Sequence, residues 1–382
     1  MALAEAFFLL TSLKEKFVAV PLTFLINRIK IALWNIIKKG RCIMNLTNYV
    51  DAMEYWNGRI DSTGDYDAFR WHQWVQKLDL NSDLSNFKCE HGFAFIGFCS
   101  EQGVKRNRGR VGTALAPDFI RKQMSNLPCT FDSRVKLYDA GNILCEDISM
   151  EEGQKLLGMA VEKILDLGLF PIVLGGGHET TYGHFKGQFA NLKKEEKPLD
   201  MGIVNFDAHF DLRPYDNGPS SGSMFRQIAD IYRKECVNYH YMPLGIQKHS
   251  NTVSLFKYAQ DNNVNYILAK EIQNSTYAVI LEKVDTFLFN CSSAYITICT
   301  DVFSAAFAPG VSATQALGLD PEAVLPIIKH ILRTRKVRGF DICEISPRFD
   351  QDDTTAKLGA VIIFTVVNTL CKLNDMLIID FD

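Results

Sequence analysis

The sequence predicts an α/β fold in which a parallel sheet carries helices on both faces. Two observations predict it. From residue 90 onward, short apolar runs alternate with segments of helical period, and no Pro/Gly/Ser linker, charge block or repeat divides residues 90 to 382. At 382 residues, 47% hydrophobic and 22% charged, the chain can bury a large core.

The elements follow in order. Phe93–Cys99 reads as a strand. Ala116-Pro-Asp118 starts a helix through Leu127, with Pro117 suited to its first turn. Val135–Tyr138 is a second strand. Ser149 with Glu151 and Glu152 opens a helix whose Leu157, Ala160, Val161 and Ile164 share one face, and Gly168 stops it. Pro171–Leu174, Met201–Phe206, Tyr241–Ile246, Tyr266–Ala269, Tyr295–Cys299 and Val337–Ile345 read as further strands. Helices are expected at 180–191, 250–261, 320–334 and 353–372, the last apolar nearly all round and therefore buried.

The first 43 residues differ. Seven basic residues stand against Glu5 and Glu15 in a segment rich in Phe, Leu, Ile and Val. Arg28 and Lys30 interrupt it, so no run reaches the ~20 apolar residues of a spanning helix. It reads either as a basic amphipathic anchor, giving peripheral membrane contact, or as an extension upstream of a natural start at Met44. Residues 44–382 form one domain. The net charge of −3 offers no basic surface for nucleic acid. Ten cysteines without a CxxC pair, several inside apolar strands, suit reduced core thiols in a cytoplasmic protein.

Chemistry concentrates at strand ends. Asp207-Ala-His209-Phe-Asp211 closes the Met201–Phe206 run and places three metal-competent side chains at alternate positions, on one side of an extended chain. Two carboxylates and an imidazole suit a divalent cation of the Mn, Fe or Zn kind. His178 follows Ile172–Leu174 by a glycine turn, Asp301 follows Tyr295–Ile298, and Glu344 ends the Val337–Cys343 run. In open α/β sheets ligands sit beyond the carboxyl ends of the strands. Four strand ends bearing acids or histidine point to a metal site.

Gly175-Gly-Gly-His178-Glu179, Asp207-Ala-His209-Phe-Asp211 and the stretch from Thr297 to Gly318 resemble the three signatures of the ureohydrolases, the arginase and agmatinase superfamily. The resemblance runs from about Gly97 to the C-terminus. It implies a three-layer α/β/α fold with a mainly parallel sheet and two manganese ions. The details look most like the formimidoylglutamase branch: Gly-Gly-Gly-His-Glu, Asp211-Leu-Arg213-Pro, Ser221-Gly-Ser-Met-Phe-Arg226-Gln-Ile and Arg106-Asn-Arg-Gly-Arg110. Tyr55-Trp-Asn-Gly-Arg59-Ile-Asp61 and His72 resemble the start of that branch. The resemblance implies hydrolysis of the C–N bond of N-formimidoyl-L-glutamate to glutamate and formamide, in histidine degradation. A homo-oligomer is expected.

By the same resemblance, His178, Asp207 and Asp211 hold one metal, and Asp207, His209 and Asp301 the other. Glu344 orients the substrate amidinium, and Asp211 and Glu344 are the catalytic carboxylates. The chemistry has an independent rationale: an amidine carbon is a poor electrophile, and two cations can share one water and lower its pKa. One position departs from the pattern. The family's Asp-x-Asp reads Cys299-Thr300-Asp301, and the replaced aspartate is one that bridges both metals. A thiolate is softer and favours Zn or Fe over Mn. Three readings remain: an active enzyme with altered metal preference, a weakened or one-metal site, or a protein that has lost hydrolysis and kept a binding or regulatory role. Another guanidino or amidino substrate also stays open. For substrate binding, Arg213, Ser221 and Arg226 are placed in a loop expected to face the site, because guanidinium groups pair with carboxylates in bidentate fashion. Arg106, Arg108 and Arg110 form a second basic cluster in an early loop.

Overall fold

Ten strands form one sheet in the computed structural model, which describes residues 46–380. The anchor, the extension and the Met44 start expected at the N-terminus lie outside those residues. The strands are β1 (Tyr49–Val50), β2 (Gln76–Lys77), β3 (His91–Cys99), β4 (Val135–Leu144), β5 (Phe170–Leu174), β6 (Met201–Phe206), β7 (Tyr241–Ile246), β8 (Ile267–Leu268), β9 (Ser293–Cys299) and β10 (Val337–Cys343). Their order is β1-β4-β3-β5-β10-β9-β6-β7-β8, with β2 also on β4. Every pairing is parallel except β1 with β4.

The period of two along each strand sorts side chains into layers. Phe93 and Phe95 join Ile172, Leu174, Val204, Phe206, Ile296 and Ile298 in a core on one face. That face is covered by helices Ala116–Met124, Tyr277–Phe289, Pro321–Arg333 and Thr354–Lys372. The intervening Ala94, Ile96 and Val173 face helix Met150–Asp166. Met201, Ile203, Tyr241 and Tyr295 pack with helices Thr180–Lys194, Met224–Lys234 and Val253–Asp261. Both faces of a parallel sheet are thus buried, as its near-continuous apolar strands require. Helix Thr354–Lys372 is long and apolar enough to cross a membrane, but Ile362, Ile363, Val366 and Val367 lie inside the core.

Several elements depart from the sequence expectation. Tyr277–Phe289 and Met224–Lys234 are helices that the pattern did not separate from loop. In the first, the run Tyr277-Ala-Val-Ile-Leu281 hides the helical period. The second opens inside the Ser221–Ile228 motif, so Arg226 stands on the first turn of a helix and not in a loop. Tyr266–Ala269 shrinks to β8 because the chain enters helix Ala269–Asn274. Val135–Tyr138 extends to Leu144. Gly141, at φ +74°, allows this extension; a Cβ there would lie 2.2 Å from the Val50 carbonyl oxygen.

An inner ion pair ties the early chain to the sheet. Arg121 Nε lies 2.6 Å from Asp139 Oδ2, and both side chains are buried. Arg121 also donates to Asn142 Oδ1 and the Gly141 carbonyl, while Trp56 Nε1 donates to Asp139. His72 Nδ1 meets the Ser125 carbonyl at 2.8 Å. The Trp56 and His72 segment is therefore structural.

Candidate metal centre

Four consecutive strands of the sheet, β5-β10-β9-β6, carry the candidate residues at their carboxyl ends. That adjacency converges His178, Glu344, Cys299, Asp301 and Asp207, which are far apart in sequence.

After β5 the chain turns through Gly175–Gly177. Gly175 N–H donates to the Ile342 carbonyl of β10. A Cβ on Gly176 would lie 2.0 Å from the Ser100 carbonyl oxygen, so only glycine lets this turn run between β3 and β10. His178 emerges fully buried and its N–H donates to Glu344 Oε1 at 2.8 Å. Its ring is aimed from behind: Nε2 meets Thr297 Oγ1 at 3.0 Å, leaving Nδ1 3.1 Å from both Asp207 Oδ2 and Asp211 Oδ2. Such outer partners fix a ligand's orientation. Thr297 was not singled out by the sequence; its place on β9 two residues before Cys299 puts it on the same strand face.

Asp207, His209 and Asp211 do not continue β6 as an extended chain. The strand stops at Phe206, and Asp211 sits at φ +49°. Asn251 shapes this bend, accepting from the Phe210 N–H and donating to the Ala208 carbonyl. The three side chains still converge. His209 Nδ1 lies 3.1 Å from Asp301 Oδ2 and 3.4 Å from Asp207 Oδ1. Asp207 therefore faces both histidines. Glu344, just past β10, is at φ +67°. Left-handed backbone at two non-glycine residues costs energy and clusters at functional sites.

Charge follows from this packing. Burial opposes protonation of His178, yet hydrogen bonds to Asp207 and Asp211 hold its pKa well above the usual value. For His209 burial likewise opposes charge, while Asp301 and then Asp207 raise the pKa well above normal. Asp207 is held well below the carboxylate range: burial alone would raise it, but His178 and His209 prevail. Asp211 is pushed up to about 6 by burial and by Asp207. Burial, Glu179 and Asp301 push Glu344 up to about 8. The Cys299 thiol rises well above normal through burial and then Asp207, Asp301 and Glu344.

The site thus attracts positive charge, and its donors fit a pair of cations. Ligand atoms of His178, Asp207 and Cys299 lie within 4.8 Å of one another, as do those of Asp207, His209 and Asp301. Asp207 belongs to both sets. Asp301 Oδ1 is buried without a hydrogen-bond partner, an acceptor left for a cation. Imidazole and carboxylate with one thiol is a donor set for first-row transition metals.

A cavity of about 300 Å3 opens onto these residues, lined by His178, His209, Asp211, Cys299, Asp301 and Glu344. Arg213 and Ser221 line it, together with Asn107, Arg108, Arg110 and Ser312. Arg226 does not: its guanidinium stacks 4.5 Å from the Tyr258 ring centroid. The three early arginines separate. Arg106 is engaged with Glu151 in a bidentate pair at 2.5 and 3.1 Å. Arg110 donates to the Ser312 and Val311 carbonyls. Among the described residues, the Arg108 and Arg213 guanidiniums make no ion pair. The sequence places Arg108 with Arg106 and Arg110 in one early-loop cluster and does not set it apart from them.

The Arginase family model matches residues 91–368. The chain belongs to the arginase family. It is 55% identical over 322 residues to a formimidoylglutamase of Clostridium tetani, covering 84% of this chain and 95% of that one. A formimidoylglutamase of a Geobacillus species is 43% identical, covering 80% and 92%. The crystal structure of a Bacillus subtilis formimidoylglutamase superposes with a TM-score of 0.70 at 23% identity, over 82% of this chain and 96% of that one. These matches bear out the three-layer fold.

Proposed function

We propose that this arginase-family chain hydrolyses the C–N bond of N-formimidoyl-L-glutamate, releasing L-glutamate and formamide. One observation carries the reading: a single cavity joins the metal-type donor set to two guanidiniums, Arg108 and Arg213, that have neither an ion pair nor a hydrogen bond among the described residues. A substrate with an amidine at one end and two carboxylates at the other matches that layout. The names of relatives up to 55% identical over most of both chains support the same substrate.

The residues divide the work. Arg108 and Arg213 bind the carboxylates, where a charged hydrogen bond contributes ~1.5–3 kcal/mol. Glu344, held by the His178 N–H and lining the cavity, would accept from the N–H groups of the substrate's amidine. Asp211, beside His178 on the cavity wall, is placed to carry a proton toward the leaving nitrogen of glutamate. His178, Asp207, Asp211 and Cys299 would hold one cation, and Asp207, His209 and Asp301 the other. Bound there, such cations supply Lewis acidity that lowers the pKa of water. Manganese is supported by the crystal structure of a Trypanosoma cruzi formiminoglutamase with Mn2+. The thiol of Cys299 supports zinc or iron as competitors. A cytoplasmic setting is supported by the free thiols of the nine cysteines among the described residues.

The test is glutamate release from formimidoylglutamate, with Mn, Zn and Fe supplied separately. Turnover with at least one metal, suppressed by chelation, is expected. No turnover with any of them rules the reading out.

A further inference from the structure

Glu179 follows the donor His178 directly, is fully buried, and touches the site above only through its charge on Glu344. Its carboxylate is spent on another element. Oε1 accepts from Ser100 Oγ and from the Gly103 N–H, both at 2.9 Å. Gly103 belongs to the short helix Gln102–Arg106, whose own N-cap residue, Glu101, makes no side-chain cap. Glu179 therefore satisfies one of that helix's free N–H groups from across the sheet end. The fit is close: a Cβ on Gly103 would lie 2.5 Å from the Glu179 carboxyl carbon.

That helix leads into the cavity wall. Asn107 N–H donates to the Gly103 carbonyl, Gly109 N–H to the Val104 carbonyl, and Arg108 N–H to the Lys105 carbonyl. Arg108 is at φ +61°, so its side-chain direction depends on this tight turn being held. On the far side, Arg110 N–H donates to Ser312 Oγ at 2.8 Å. The Asn107–Arg110 turn is thus tied at one end to Ser312 and at the other, through Gly103, to Glu179.

We propose that Glu179 is a positioning residue that holds the Asn107–Arg110 turn, and with it the substrate-binding Arg108, in register with the metal-type centre. One residue pair, His178-Glu179, then sets both the reacting end and the carboxylate end of the cavity. This inference rests on the reading of the cavity as a formimidoylglutamate site.

The test uses full-length, manganese-loaded enzyme with Glu179→Ala, Glu179→Gln, Ser100→Ala, Arg108→Ala and the Glu179→Ala/Arg108→Ala double variant. Removing a carboxylate–amide hydrogen bond should raise KM about tenfold in Glu179→Ala, more than it changes kcat, with metal content within about twofold of wild type. Glu179→Gln keeps an acceptor oxygen and should recover most of the loss. Ser100→Ala removes one of the two bonds and should raise KM by less. In the Arg108→Ala background, Glu179→Ala should add little, because the two act as a unit. Loss of kcat and metal with unchanged KM would overturn the inference, and so would additive effects on KM. If Glu179→Ala does not fold, a Ser100→Ala/Arg108→Ala pair gives the same non-additivity reading. If wild type turns nothing over, the substrate reading fails, and L-glutamate affinity by calorimetry reads the turn directly. Weaker glutamate binding in Ser100→Ala and Glu179→Ala supports the inference; equal binding in all, or none in wild type, overturns it.

Discussion

Cys299 stands among the carboxylates of the site, Asp207, Asp301, Glu344 and Asp211. It is buried, at the end of β9, with its ligand atom near His178 and Asp207. Its thiol is held protonated by burial and by those acids, so a cation must compete with a proton to use it. Replacing it with aspartate supplies oxygens able to bridge two hard cations. Cys299→Asp should therefore raise manganese affinity in a metal titration and raise kcat more than it changes KM, since the arginines are untouched. Lower activity would make Cys299 a ligand tuned to another metal. The arginines give a second residue-scale contrast. Arg108→Ala and Arg213→Ala should each raise KM for formimidoylglutamate roughly 10- to 150-fold, the equivalent of a lost charged hydrogen bond. Arg226→Ala should leave KM within about twofold, because its guanidinium lies on Tyr258 and not in the cavity. Steady-state kinetics on the three variants decides between them.

At the scale of elements, the central strands were legible, while the two-residue strands β1 and β2 and the bends between strands were not. Met201–Phe206 and Tyr241–Ile246 appear with the ends that their apolar runs indicate. The metal-type residues were legible too, because acids and histidines after such runs have few structural reasons to be there. What stayed hidden depends on contacts distant in sequence. Asp207–Asp211 leaves the extended path because Asn251 binds its backbone. Arg226 was misplaced because Ser221–Ile228 reads as a polar motif while its second half is a helix. Arg108 could not be told from Arg106 until Glu151 was seen to occupy the latter. The buried Arg121–Asp139 pair is of the same distant kind and joins helix Ala116–Met124 to β4. Arg121→Ala leaves Asp139 buried without its partner and should cost about 3–5 kcal/mol in urea unfolding. A cost under about 1 kcal/mol would show that this helix is held by its apolar face alone.

For the whole molecule, the strand order β5-β10-β9-β6 makes folding and site assembly one event, so the site's protons are linked to stability. His178 and His209 have folded pKa values above the unfolded one, so their contribution is complete below about pH 6.5 and is lost as pH rises through the folded values. Glu344, raised to about 8, acts in the same direction between its unfolded value and pH 8. Asp207, lowered, gives stability that is lost only in acid, below the ordinary carboxylate range. Chelator-treated protein should therefore melt at a lower temperature at pH 8.5 than at pH 6, and added manganese should recover more at the higher pH. A melting temperature that rises with pH under chelation would contradict this account of the site's charge.

The central claim is that the strand-end residues form a metal centre that performs the hydrolysis. It is tested most directly by measuring metal content and glutamate release on the same preparations of wild type and His209→Ala. Wild type should hold about two manganese ions per chain and release glutamate, while His209→Ala stays folded by circular dichroism but loses both metal and turnover. Wild-type turnover and metal content in a folded His209→Ala would contradict it.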